Sequence, residues 1–393
     1  MSAAKPAVAV LATLDTKGRE ARFVADALAR AGATPWIVDL SLRTHQAAAA
    51  DVSAADVAAA ARAEWQELGD RSRQDAAAMM AQGAGKLLLE RFSAGEIAGA
   101  IGLGGANGTN LVCSIMRALP YLVPKVVVST VAGTAAAQWY VAESDIALYP
   151  AIGDIALNRI TRSVLENAAF AVAAAARNWA ASEQAAYAPR APLVGVSSFG
   201  GTAACVDRVS ARLAALGYEV IQFHASGVGG RSLERLAAAG EARLTGAGAA
   251  GLPQVIVPGA IDHANLWVGQ VPERYKAREF FQYNAQNLLM RTNAEEYARL
   301  GREFAIRINA AKGPVRVLVP LEGFSEHTKR RACDLQGNDQ GPWRRPAEYR
   351  IFVDSLRSHL KTASVEELPL HINDAVFADA CVDAFVGISS KQT

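Results

Sequence analysis

The segment Gly102-Leu103-Gly104-Gly105-Ala106-Asn107-Gly108-Thr109 has the composition of a loop that lets backbone approach an anion. Glycine reaches positive φ and carries no Cβ to hold a phosphate away. A helix starting behind such a loop aims free N–H groups and the positive end of its dipole at the ligand. Thr109 can cap that helix or touch the ligand. The loop lacks the Gly-Lys-Ser/Thr ending of a Walker motif and the spacing of a dinucleotide fingerprint. A tight turn with no ligand also uses glycine, so the motif alone leaves both readings open. Two further loops repeat the theme: Gly200-Gly201-Thr202, and Gly227-Val228-Gly229-Gly230-Arg231-Ser232. Arg231 there offers a guanidinium suited to a phosphate or carboxylate, or to a surface ion pair.

Asp15-Thr16-Lys17 adds a cation that can pair with phosphate and a carboxylate that can hold a metal ion or a ribose hydroxyl. Asp15 or Thr16 can equally cap a following helix. Ser129-Thr130 supplies hydroxyls at another strand end. Among six histidines, His224, His263 and His371 fall at or just after expected strands, where acid–base work, a hydrogen-bonded structural role and metal binding are all open. The sequence identifies no metal, and no nucleophile signature such as Gly-x-Ser-x-Gly or HExxH is present.

Strands alternating with helices must position these residues. Ala7 to Thr13 is a continuous apolar run, followed by a helical pattern to Ala31 and a second strand from Pro35 to Leu40. The alanine-rich stretch 46–82 reads as a helical excursion. Ile97 to Leu103 enters the glycine loop, Lys125 to Ser129 forms a further strand, and Leu157 to Ala181 a long helix. The opening pattern restarts after a linker, Ser182 to Pro192. Strand Leu193 to Ser198, helix Ala203 to Leu216 and strand Tyr218 to His224 lead to strands at 254–258 and 315–320, with a weaker one at Glu366 to His371. This alternation predicts an α/β fold of two doubly wound domains, 1–186 and 187–393, with parallel sheets and a cleft between them as the default ligand site. All three glycine loops then lie at strand carboxyl ends, the rim where such sheets bind ligands. The polar stretch from Thr328 to Pro346 is expected to be a surface loop.

A chain of 393 residues, 51% hydrophobic but only 7% aromatic, can bury two alanine- and valine-rich cores. Forty basic against 38 acidic residues give a net charge of +2, which provides no field for a nucleic-acid backbone or an anionic membrane. Four cysteines without CxxC spacing point to buried thiols. No apolar run has the length of a membrane span or a signal core, so a cytoplasmic protein is expected. Surplus apolar surface on the 46–82 helices points to a homo-oligomer.

The stretches LATLDTKG, IGLGGANGT, MRALPYLVPKVVVSTVA, FHASGVGGRSLE, GLPQVIVPGAID, LVPLEGFS and HINDAVFADA occur in order over nearly the whole chain. Together they resemble the Tm-1-like ATP-binding domain family. The resemblance implies a two-domain, Rossmann-like architecture and nucleotide binding, with ATP, alone or with Mg²⁺, as cofactor. It also implies that Asp15, Thr16, Lys17, Gly104, Gly105, Gly108, Thr109, Ser129 and Thr130 lie on the ligand side, with Asn107 in the same loop. Weaker support extends to Gly229, Gly230, Arg231, Glu234 and Asp262. In this chain the family's strand and helix after the segment Arg231 to Leu236 are missing, so the second domain is shortened near 237–250. Three functions follow as expectations: an ATP- or nucleotide-binding protein, a metabolic enzyme using His224, His263 or His371 on a small phosphorylated or carboxylated substrate, or a nucleotide-dependent regulatory module. Turnover is left open.

Overall fold

In a computed structural model that describes residues 5–43, 49–182, 191–225, 227–237 and 244–389, the chain is mixed α/β. It divides into two compact units, Met1–Ala188 and Pro189–Thr393. The boundary expected at 186/187 lies outside the described residues, as do positions 238–243 of the shortened segment.

The first unit runs β1 (Ala7–Ala12), α1 (Leu14–Arg30), β2 (Thr34–Asp39), α2 (Ala54–Ala60), α3 (Arg73–Ser93), β3 (Gly99–Gly104), α4 (Ala106–Met116), β4 (Lys125–Ser129), α5 (Ala137–Val141), β5 (Ala147–Pro150) and α6 (Arg159–Ser182). Its five strands are all parallel, in the order β2-β1-β3-β4-β5. Side chains of a strand alternate between faces, so the unbroken apolar run of β1 feeds two cores at once. Val8, Val10 and Ala12 pack with Val24, Leu28 and Val172 from α1 and α6. Ala9 and Leu11 pack with Val57, Met80 and Val112 from α2, α3 and α4. Covering both faces is what buries Val8, Ala9, Val10, Leu11 and Ala12 completely.

The second unit contains β6 (Leu193–Ser198), α7 (Ala203–Ala215), β7 (Glu219–His224), α8 (Val228–Ala237), α9 (Gly246–Ala249), β8 (Gln254–Ile256), β9 (His263–Trp267), β10 (Phe280–Gln282), β11 (Asn287–Arg291), α10 (Ala294–Asn309), β12 (Val315–Pro320), β13 (Arg331–Cys333), β14 (Asp339–Pro342), α11 (Pro346–His359), β15 (Ser364–Leu368) and α12 (Ala375–Ser389). Parallel pairing is split between β6-β7 and β15-β12-β8. A third sheet, β14-β13-β10-β11-β9, is antiparallel, a layer the alternating pattern did not announce. The expected surface loop from Thr328 to Pro346 is corrected here. It holds β13 and β14, and Trp343 is buried because its indole fills a core with Leu289 and Ala332.

In the first unit the third strand, β3, completes the sheet by pairing with β1. Its counterpart would pair with β6, and the shortened segment falls where that strand would arise. Among the described residues β6 pairs only with β7, and β8 only with β12. Glu234 closes the remaining connection, its buried carboxylate accepting backbone N–H groups of Leu244, Thr245 and Gly246 at 2.7, 3.1 and 2.7 Å.

Candidate functional site

The first unit's glycine loop begins where β3 ends. A Cβ on Gly104 would lie 2.3 Å from the Thr109 nitrogen and 2.4 Å from the Gly108 carbonyl carbon, so this glycine serves the close seating of α4. Gly105 differs: its nearest neighbour would be Thr130 Oγ1 at 3.8 Å, and its φ of −69° suits any residue. Gly105 is also the N-cap of α4 and makes no side-chain cap, while Asn107 in the first turn is exposed. Thr109 and Ser129 are fully buried and engaged with each other at 2.7 Å. Thr109 Oγ1 also donates to the Gly104 carbonyl, and Ser129 Oγ accepts from the Val131 N–H. These two hydroxyls fasten the turn, whereas Gly105, Asn107, Gly108 and Thr130 remain on its outer side.

At the end of β1 the helix α1 starts at Leu14, earlier than the sequence pattern predicts, and is interrupted at Lys17 (φ −125°). Asp39 at the end of β2 holds this start, accepting the Leu14 N–H at 3.2 Å and the Ser41 N–H at 2.9 Å. Ser41 Oγ in turn accepts the Asp15 N–H at 3.0 Å. Sequence reasoning missed Asp39 because nothing local marks a carboxylate 25 residues downstream as a cap. Lys17 Nζ donates to the Ile155 carbonyl at 2.6 Å and lies 3.8 Å from Asp154, which ties the ammonium to the loop after β5. Asp15 Oδ1 is buried and has no hydrogen-bond partner. Asp15 and Thr16 border a depression of about 760 Å³ along α1, with Arg19, Arg22 and Arg162 in its walls. The glycine loop does not line that depression.

In the second unit the strongest constellation is Asp262, His263, Ser325, His327 and Trp343. Asp262 is buried at the approach to β9 and accepts three hydrogen bonds: Ser325 Oγ at 2.6 Å, Trp343 Nε1 at 3.1 Å and His263 Nδ1 at 3.0 Å. Burial alone would raise its pKa, but the hydrogen bonds from His263, Ser325 and Trp343 outweigh it and hold the carboxyl below its usual range. An ionised carboxylate only accepts, so His263 carries its proton on Nδ1. Nε2 of His263 is buried without a hydrogen-bond partner. His327 packs edge-on against His263, with ring centres 5.1 Å apart; burial, then His263, push its pKa down. Of these residues only His263 and Asp262 stood out in the sequence. Ser325 and Trp343 follow 63 and 81 residues later, on segments whose convergence only the fold creates.

The remaining expected residues divide sharply. His371 Nδ1 accepts the Asn373 N–H at 3.1 Å and Nε2 donates to the Ser325 carbonyl at 3.0 Å, so both ring nitrogens serve the backbone. His224 ends β7, its ring 5.7 Å from Phe199, which lies 5.6 Å from His263. The turn Gly200–Thr202 packs on this cluster: a Cβ on Gly201 would sit 3.2 Å from Ser325 Cβ and 3.6 Å from His327 Nε2. A Cβ on Gly229 would lie 2.4 Å from the His224 carbonyl oxygen, so that glycine answers to packing. Gly230 is buried and Arg231 is exposed on α8. Among the described residues no group of three or more His, Cys, Asp or Glu side chains could hold a metal, and no helix is long and apolar enough to cross a membrane.

Residues 6–181 match the N-terminal domain of the uncharacterised protein family UPF0261. Residues 191–241 and 237–389 match its C-terminal domain in two pieces that meet at the shortened segment. The chain is 35% identical to a UPF0261 protein of Rhizobium meliloti over 97% of its own length and 98% of that protein's. It is 30% identical to one of Clostridium tetani, over 98% and 99%. It is also 33% identical to the tomato mosaic virus resistance protein Tm-1 of Solanum lycopersicum, over 76% of this chain and 42% of that protein. With both halves of the chain matched in order, it belongs to the UPF0261 family.

Proposed function

We propose that the first unit is a Rossmann-like binding domain for a phosphorylated ligand, with ATP and Mg²⁺ as its occupant. One observation carries this reading: the strand order β2-β1-β3-β4-β5 reverses direction between β1 and β3, and the uncapped start of α4 behind Gly105 stands at that switch point. Crevices at such points are where open parallel sheets bind ligands, and an uncapped helix start favours phosphate oxygens. The phosphates would rest against the N–H groups of residues 106–108, and Thr130 would reach them from the end of β4. Asp15, with its unsatisfied Oδ1, would face the Mg²⁺ or a ribose hydroxyl. Lys17 acts here by holding the loop at 154–155, since its ammonium is already engaged.

Calorimetric titration with ATP, ADP and AMP, with and without Mg²⁺, tests the reading. Wild-type protein should bind ATP with micromolar affinity. Gly105→Asp has room for its side chain, so it should fold and yet lose at least about a hundredfold in affinity, because it sets a carboxylate against the phosphates. Absence of nucleotide binding by the wild type, or unchanged affinity in the variant, sinks the proposal.

A further inference from the structure

The second unit holds a buried carboxylate–imidazole pair, Asp262 and His263, that the ligand reading for the first unit neither uses nor requires. His263 and Asn265 are two residues apart on β9 and so share one face of the strand. Both line a cavity of about 270 Å³ together with Phe199, Ala225, Gly259 and Ala260. We infer that this cavity takes a small, uncharged ester or lactone, that His263 Nε2 activates a water to hydrolyse it, and that Asp262 positions the imidazole.

Each part follows from a group in place. Among the described residues the wall has no Lys or Arg to recognise phosphate or carboxylate, and none to stabilise the enolate left by removing a carbon-bound proton. Among the described residues it has no Ser, Thr or Cys to serve as a nucleophile, and the nearby Ser325 spends its hydroxyl proton on Asp262. Water is then the nucleophile, and one base that takes a proton and returns it suffices. With Nδ1–H donated to Asp262, the lone pair of the neutral ring is on Nε2, the nitrogen with no partner. Nε2 takes a proton from water as its oxygen bonds to the carbonyl carbon. The carbonyl oxygen becomes an oxyanion, to which Asn265 Nδ2 can donate; its amide has no hydrogen bond within the described chain. Collapse of the tetrahedral adduct breaks the bond to the ring or alkyl oxygen, which leaves with the proton returned by His263. Water is consumed and an acid and an alcohol form, with no oxidant or reductant. The pair differs from a serine triad, because the serine lies on the far side of the aspartate from the histidine.

The test uses the full chain with p-nitrophenyl acetate and a panel of uncharged five- and six-membered lactones. Wild-type protein should hydrolyse at least one without an initial burst, and from ¹⁸O-water one label should enter the acid product in a single turnover. His263→Ala should lose at least about a hundredfold in kcat, Asn265→Ala a comparable factor, and the exposed His359→Ala nothing. Should the His263 variant not fold, the wild-type pH profile decides: kcat must rise to a plateau as a single group loses its proton. A rate that climbs linearly with hydroxide, a burst, full activity in His263→Ala, or no hydrolysis of any probe overturns the inference.

Discussion

Asp262→Ala should cost the second unit about 3 kcal/mol or more, one of the largest losses available from a single side chain in this protein. The carboxylate is the common acceptor for the Ser325 hydroxyl, the Trp343 indole N–H and the His263 ring N–H, which come from three separated segments. Trp343 is 1% exposed and Ser325 fully buried, so water cannot replace the lost acceptor without opening the core. Urea titration read by pulsed hydrogen exchange, peptide by peptide, should show the drop in peptides from the second unit. Asp262→Asn isolates the charge. The folded-state pKa of Asp262 lies below its ordinary value, so its ionised form stabilises the fold above the unfolded value of about 4. That contribution fades as the pH falls through the folded value. The stability gap between wild type and Asp262→Asn should therefore be full at neutral pH and narrow on acidification below about pH 4. His327 has the same sign, because burial depresses its pKa and charging it at low pH works against the fold. A gap that widens with acid contradicts the assignment of Asp262 as an ionised acceptor.

How far the sequence could be read depended on how locally each feature is written. β1, β3 and β4 are runs of apolar residues buried on both faces, and such runs declare themselves. The antiparallel sheet does not. β10 and β13 have three residues each, and β14 is Asp-Gln-Gly-Pro, so neither length nor alternation marks them, and they exist by pairing with β11 and with one another. The same holds for chemistry. Thr109 and Ser129 have the hydroxyls of phosphate ligands, yet burial turns them into fasteners. His224, His263 and His371 look alike beside their strands. What separates them is that His371 has two backbone partners while His263 has a buried carboxylate on one nitrogen and nothing on the other. Asp39, Ser325 and Trp343 had no signal beyond their place near strand ends, because their partners are brought to them only by the sheets.

Gly104→Ala and Gly105→Ala should part company by about 3 kcal/mol although they are neighbours in one loop and add the same methyl group. At Gly104 the new Cβ meets backbone at 2.3 and 2.4 Å, and backbone in the first turn of a helix cannot rotate away as a side chain tip can. The helix α4 must lift from β3, and Val112, packed where a Cβ on Gly102 would lie only 2.8 Å from Val112 Cβ, loses its seat in the core. Overpacking of this kind costs about 1–3 kcal/mol, more where backbone must move. At Gly105 the nearest atom is 3.8 Å away and the backbone angles are those of an ordinary extended residue, so alanine should change stability by less than about 1 kcal/mol. Urea midpoints of the first unit measure the difference. Stability and binding then separate: Gly104→Ala weakens the fold, and Gly105→Ala keeps it while bringing a methyl group up to the proposed phosphate. If Gly105→Ala also leaves ATP affinity untouched, no ligand approaches that backbone, and the second glycine of the pair has no role that stability or binding explains.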